Sequence, residues 1–278
     1  MKRLLLYILI ATLSLTASGQ ATWQRADSIR ICRLLSQSSP TTTTLWLARQ
    51  FMGVPYVAHT LEVNKDERLV VNTRQLDCTT LVETVVALRL CAQQGLTTFA
   101  DYRNVLQRLR YRDGKLTDYT SRLHYFSDWI DNKTEMGLVE EIQQPNPPFT
   151  AVQQLEINYM SQHPQAYKAL KAAPEMVDVI RKQEQALTGR KYRYILKVQV
   201  SNTQLLRQTV RDGDIIAITC NKPGLDIAHL GFAVWHKDGL HLLNASMLHK
   251  KVVEEPMTLG RYLKKHPSFT GIRVVRLK

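Results

Sequence analysis

From Asp212 onward the chain reads as strands, while most of what precedes it carries apolar residues at helical spacing. Asp212-Gly213-Asp214 is a turn leading into the apolar run Ile215–Thr219. Ala228–Trp235 and Leu240–Ser246 follow as a pair with Asp238-Gly239 near their turn, and Ile272–Leu277 closes the series after a short helix near 257–264. Before that, residues 24–52 read as helical with a break at Ser38-Ser39-Pro40. A further helix opens at Asp77, where Leu81, Val82, Val85, Val86 and Leu88 keep helical spacing. Residues 99–110, 160–171 and 175–187 read as helices too, with a loop over 57–74 and another at Gln143–Pro148. Helices first and sheet last is the order of an α+β domain. The chain therefore predicts N-terminal helices followed by an antiparallel sheet or open barrel.

The first residues belong to a different layer of meaning. Lys2 and Arg3 precede an apolar run, Leu4 to Leu15, and then the small and polar Thr16–Ala21. That order predicts a secretory signal peptide over 1–19, and so a protein exported to the periplasm or cell envelope. The run is shorter than the roughly 20 residues a membrane span needs, and no second one follows, so no integral segment is expected after signal removal. What remains, 22–278, fits one domain. The formal charge of +13 argues for acidic peptides, anionic surfaces or acidic glycans as counterparts rather than nucleic acid, which an exported protein does not meet. The four cysteines, Cys32, Cys78, Cys91 and Cys220, show no CxxC spacing, so neither a zinc site nor a redox pair is indicated. No metal or organic cofactor is implied, and a monomer is expected.

Chemistry concentrates at Cys78. It follows the natural N-cap Asp77 and so sits in the first turn of a helix. There, unpaired backbone N–H groups and a partial positive charge favour a thiolate and can hold an oxyanion. In Ala228–Trp235 strand alternation sends His229, Gly231, Ala233 and Trp235 to one face; the small residues leave room there for a substrate or a helix end. A strand histidine paired with a helix-capping cysteine is a candidate base. A base needs an orienting partner, and Asn244, His236, His241 and His249 are near in sequence. Closing the pair on a two-residue Asp238-Gly239 turn sets Ala233 against Asn244, which puts Asn244 on the His229 face and turns the three histidines away. That register still leaves Asn244 about 13 Å along the strand, at about 3.3 Å per residue. Direct contact therefore predicts a longer loop, with Trp235 to Asp238 at its tip.

Taken together, Gly53-Val54-Pro55-Tyr56, Leu76-Asp77-Cys78-Thr79-Thr80-Leu81-Val82-Glu83, Asp212-Gly213-Asp214-Ile215-Ile216, Ala228-His229-Leu230-Gly231-Phe232 and Leu243-Asn244-Ala245-Ser246 resemble, in that order, the NlpC-type cell-wall hydrolases. Asp-Cys-Thr-Thr with a long insertion is similar to the N-acetylmuramoyl-L-alanine amidase-like branch. The resemblance implies a papain-like core with Cys78 as nucleophile, His229 as base, Asn244 as third residue and Tyr56 near the oxyanion site. It also implies cleavage of the amide between N-acetylmuramic acid, including its 1,6-anhydro form, and L-alanine in muropeptides. Two departures stand out: the Cys78–His229 interval is 151 residues, and Asn occupies position 244 where many relatives have His. The mostly helical insertion, about 100–190, is expected to cover the cleft. Within it Ser121, Arg122, His124, Tyr125 and Trp129 are candidate substrate binders. Tyr125 and Trp129, four apart, share a helix face and can stack on a sugar, and Arg122 can grip a carboxylate; packing of the insertion explains the two aromatics equally well.

Three other readings remain open. One is an endopeptidase cutting between D-glutamate and the diamino acid. Another, from a different class, is a non-catalytic wall-binding protein. An acyltransferase using the same groups is also compatible with the sequence.

Overall fold

The computed structural model describes residues 21–278; the segment 1–19, read from sequence as a signal peptide, lies outside the described residues. Ten α-helices occur among them: α1 (Arg25–Ser36), α2 (Thr44–Arg49), α3 (Cys78–Gln93), α4 (Phe99–Arg110), α5 (Phe126–Glu135), α6 (Tyr159–Gln162), α7 (Lys168–Ala172), α8 (Met176–Leu187), α9 (Gln204–Thr209) and α10 (Leu259–Lys264). Eight strands join one sheet: β1 (Val139–Ile142), β2 (Ala151–Gln154), β3 (Lys191–Leu196), β4 (Ile215–Cys220), β5 (Ile227–Trp235), β6 (Leu240–Ser246), β7 (Lys251–Glu254) and β8 (Phe269–Leu277). The order is β2-β3-β8-β4-β5-β6-β7, with β1 also on β8, and every pairing is antiparallel. This is the α+β mixture of helices and antiparallel sheet that the order of elements predicts.

Strand alternation sorts the sheet onto two cores. Ile215, Ala217, Leu230, Phe232, Leu243 and Ala245 face a core shared with α3. Ile216, Ile218, Ala233, Leu242 and Ile272 face a second core closed by α9 and α10. With both faces covered, β4 is buried at all six positions and reads as a continuous apolar run rather than an alternating one. Helix α3 is buried almost all round, between α1, α2 and α4 on one side and β5 and β6 on the other. Its two charged-group partners are consequently internal: Glu83 accepts from Arg110 at 2.7 Å, and both side chains are 3 % exposed.

The insertion differs in detail from its sequence reading. The stretch read as a helix over 160–171 is split into α6, a 3-10 turn at Pro164–Ala166 and α7. Strands β1 and β2, both short, also lie inside it; β1 pairs with β8 directly, and β2 through β3, so the insertion extends the sheet as well as carrying helices. A satellite core of Tyr119, Tyr125, Leu155, Met160, Ile180 and Leu187 holds this part together.

Candidate active site

Asp77 caps α3. Its carboxylate accepts from the Thr80 N–H and hydroxyl, both at 2.8 Å, and the Thr80 hydroxyl in turn accepts from the Asp77 N–H at 2.9 Å. Cys78 is thereby fixed as the first helical residue. The N–H groups of Cys78 and Thr79 have no acceptor within the helix and remain available to an anion. Cys78 is half-buried, and its sulfur lies against the backbone of Leu230 and against Thr79. Burial pushes the thiol up to about 12, with the Asp77 charge adding to it; hydrogen bonds from Leu230 and Thr79 act the other way without overcoming it. Burial therefore works against the thiolate that the helix terminus favours. Asp77→Asn tests that balance. Asn caps as well as Asp, so the melting temperature should hold, while removing the charge should lower the thiol pKa and raise the rate of iodoacetamide labelling at pH 8 roughly threefold, about half a pKa unit.

His229 stands next to Leu230 on β5. Its Nε2–H donates to Asn244 Oδ1 at 3.0 Å. Asn244 is fully buried, and its Nδ2 donates to the Leu242 carbonyl at 3.3 Å, which fixes the amide with its oxygen toward the ring. The other ring nitrogen, Nδ1, is then the unprotonated one. Burial holds the imidazole below its usual range; the Asn244 bond opposes this in part. The β5–β6 register pairs Trp235 with Leu240, so the loop comprises four residues, 236–239, closed by a His236 N–H to Gly239 carbonyl bond of 2.9 Å. This longer loop slides Asn244 to the position opposite Gly231, two residues from His229 instead of four. His241 lies opposite Val234 on the other face, and His236 lies in the loop.

Gly231 is small for a different reason from the one the sequence suggests. A Cβ there would sit 2.6 Å from the Leu243 carbonyl oxygen and 2.8 Å from the Leu242 side chain. The backbone of β6 passes too close for any side chain; the space is filled by protein and not by substrate. Tyr56 is held beside the site by pairing with Leu76, and its hydroxyl is pushed up chiefly by burial, with the Asp77 charge adding to it.

Cys78 and His229 open on a common cavity of about 180 Å³, whose other walls include His124, Tyr125, Tyr167 and Asp226. Of the insertion residues singled out from sequence, His124 and Tyr125 line it. His124 Nε2–H donates to the Tyr119 carbonyl at 2.8 Å, and burial depresses its pKa to about 3, so it meets a ligand as a neutral ring. Tyr125 donates to Glu184 at 2.6 Å.

The other three are engaged elsewhere. Arg122 is clasped by Glu62 at 2.7 Å and Glu67 at 2.6 Å, so its guanidinium braces the 57–74 loop and is not free to grip a substrate carboxylate. Trp129 is 1 % exposed and stacked on Phe126 at 4.9 Å, leaving no face for a sugar. Tyr125 precedes α5 as its N-cap, so the shared helix face does not form. Ser121 donates to the Asp118 carbonyl. Sequence reasoning missed Tyr167, Met160 and Asp226. Asp226, just before β5, is the one with a signal, a carboxylate next to the His229 strand; it receives the Ser127 N–H at 2.6 Å and so caps α5 from a distance.

All four cysteines are free thiols, and no cluster of metal-binding side chains occurs among the described residues. No helix among them is long and apolar enough to cross a membrane.

No curated protein sequence matches this chain. Among solved structures, an N-acetylmuramoyl-L-alanine amidase from Bacteroides uniformis is 43% identical over 84% of this chain and 97% of its own, with a TM-score of 0.79. A Bacteroides fragilis protein described as a candidate xylanase is 44% identical over 84% of this chain and 100% of its own, TM-score 0.78. A Legionella pneumophila protein, 21% identical over 91% and 94%, shares the fold with a TM-score of 0.71. The model of one family matches residues 46–272, a span that includes Cys78, His229 and Asn244 alike. This chain therefore belongs to the AmiA-like family, the N-acetylmuramoyl-L-alanine amidase-like proteins.

Proposed function

We propose that the protein is a cysteine amidohydrolase of peptidoglycan fragments, cleaving the amide between N-acetylmuramic acid, the 1,6-anhydro form included, and L-alanine. The observation that carries this reading is the part-buried His229–Asn244 bond of 3.0 Å beside a cysteine at a helix N-terminus, on one cavity. A Cys-bearing helix laid on an antiparallel sheet that carries the His and Asn is also what a papain-like core requires. The leader over 1–19 adds export to the cell envelope, where such substrates arise.

The protonation states set the order of events. With the Cys78 thiol pushed up and the His229 ring held neutral, the resting pair is uncharged. His229 Nδ1 takes the Sγ proton as sulfur adds to the lactyl carbonyl carbon, acting as general base. The N–H groups of Cys78 and Thr79, with Tyr56 beside them, hold the oxyanion. The imidazolium returns its proton to the alanine nitrogen as the C–N bond breaks and the peptide leaves. The muramoyl thioester on Cys78 is then hydrolysed by a water that His229 deprotonates, which releases the acid and restores the thiol. By accepting from Nε2–H, Asn244 keeps Nδ1 bare in the neutral ring, ready to take each proton as it is released.

A glycosidase, as the B. fragilis description would suggest, needs two carboxyl groups about 5–9.5 Å apart across the cleft. The cavity wall offers Asp226, and that carboxylate already receives the Ser127 N–H. Digestion of purified anhydro and reducing muropeptides, with products weighed by mass spectrometry, is the test. Free sugar and intact peptide are expected; a disaccharide still bearing two amino acids would instead make the protein an endopeptidase. The same assay run against pH should place the acidic limb of kcat/KM below 6.5, because the base is held below its usual range. A limb above that value would contradict the neutral resting pair.

A further inference from the structure

The His229–Asn244 pair does not exhaust the polar groups on that face of the sheet. In the β6–β7 register Leu243 pairs with Glu254, and the Glu255 N–H donates to the Leu242 carbonyl at 2.8 Å. Glu255 therefore lies opposite Leu242 and points to the same face as Asn244 and His229. It is 1 % exposed. One carboxylate oxygen accepts from His249 Nε2–H at 3.1 Å, while the other, Oε1, is buried without a hydrogen-bond partner. Its backbone is tied to the site from two sides. The Leu242 carbonyl that receives its N–H also receives the Asn244 amide, and its own carbonyl accepts from His241 Nδ1–H at 2.9 Å. Across this face Tyr262 of α10 lies 6.5 Å, ring to ring, from His229.

A buried carboxylate left with one unpartnered oxygen is costly to the fold. It is retained where it faces a group that becomes positively charged. From its position on the His229 face we infer that Glu255 is a positioning residue, whose charge, set behind Asn244, stabilises the His229 imidazolium formed during acylation. This rests on the reading of Cys78 as nucleophile and His229 as base. The aspartate of a Ser-His-Asp triad performs this electrostatic task by direct contact. Here the neutral Asn244 orients the ring, and the charge is moved back by one residue and one strand. The groups around Glu255 are consistent with this division. His229 on β5 and Tyr262 on α10 both feel its charge, which raises each, while His266, its ring tilted against Tyr262 at 4.7 Å, opposes it at His229 and Asp77 supports it. His249 in the hairpin and His241 on β6 are its remaining titratable neighbours, and Arg49 and His236 are occupied by the adjacent Glu254.

The test is the titration of His229 followed by NMR in full-length protein, its ring signal assigned by its loss in His229→Gln, in wild type and in Glu255→Gln. Removing a negative neighbour lowers the imidazole pKa. Glu255→Gln should therefore drop the His229 pKa by about 0.5–1 unit, move the acidic limb of kcat/KM down by the same amount, and lower plateau kcat about three- to tenfold with KM little changed. An unchanged His229 pKa in folded Glu255→Gln overturns the inference, as does a fall in KM-linked activity alone. Should that variant fail to fold, Glu255→Asp draws the charge back by one methylene and must give the same sign at smaller amplitude; no fall there overturns it equally. The NMR arm needs no substrate, so the two readings fail separately: Cys78→Ala that still releases peptide overturns the mechanism without touching the titration.

Discussion

Cys78→Ala is expected to lower release of free peptide from muropeptides by at least roughly a thousandfold, because on the proposed mechanism it removes the nucleophile of a coupled Cys-His unit and with it nearly all that the unit contributes. The loss should fall on kcat, with KM changed less than about threefold, since the cavity walls formed by His124, Tyr125 and Tyr167 remain. Stability should be unchanged: Cys78 is half-buried at the first helical position, and the cap that starts the helix belongs to Asp77 and Thr80. A non-catalytic wall-binding protein predicts the opposite pattern, equal and negligible peptide release by both proteins. Single-turnover mass spectrometry on wild type adds a direct signature, a muramoyl adduct on Cys78 that Cys78→Ala cannot form. Undiminished activity in Cys78→Ala would sink the assignment.

The second large effect lies away from the chemistry. Arg110→Met should lower the melting temperature by about 10 °C. Glu83 on α3 and Arg110 on α4 form an internal ion pair at 2.7 Å, and Arg110 Nη1 also donates to the Val70 carbonyl at 2.6 Å. Burial works against the charge on Arg110, yet the Glu83 carboxylate outweighs it and keeps the guanidinium ionised. Removing one partner strands a carboxylate inside α3 and costs about 3–5 kcal/mol. For a domain of this size each kcal/mol moves the melting temperature by about 2–4 °C. The paired change Glu83→Leu with Arg110→Met should recover most of the loss, since apolar replacement of both members of a buried pair is often neutral. Differential scanning calorimetry on the wild type and these two variants decides it; equal melting temperatures for the single and double variants would show that the pair carries no such weight.

How much of this was legible beforehand depends on how local the signal is. Helix α4 is capped by Thr98 and Asp101 and has a clean apolar stripe, and its boundaries agree with the residues read from sequence. The Asp77 cap gave the start of α3, and strand parity selected Asn244, because both rules act within a few residues. The hairpin loop was inferred from a distance conflict and not from turn chemistry, which pointed to the shorter Asp238-Gly239 turn. Strands β1, β2, β3 and β7 were missed: they are four to six residues long, and three of them are partly exposed edges with no apolar run. The insertion residues failed for a related reason. An Arg, a Trp and a Ser look alike on paper whether they face a ligand or a neighbour. What occupied Arg122 was Glu62 and Glu67, some sixty residues earlier in the chain.

Strand β8 sets a timetable for the molecule. It lies in the middle of the sheet, with β4 on one edge and β1 and β3 sharing the other, yet it consists of residues 269–277. A ribosome delivers it after every strand it must join, and its partners at 139–142 and 191–196 wait for it with open edges. Contacts this distant in sequence form late and slowly. The sheet therefore closes as a last act, like a zip whose slider is fitted at the end. Until that closure β1 and β3 have no strand to join them to β4, so a growing or unfinished chain holds its sheet in separate pieces.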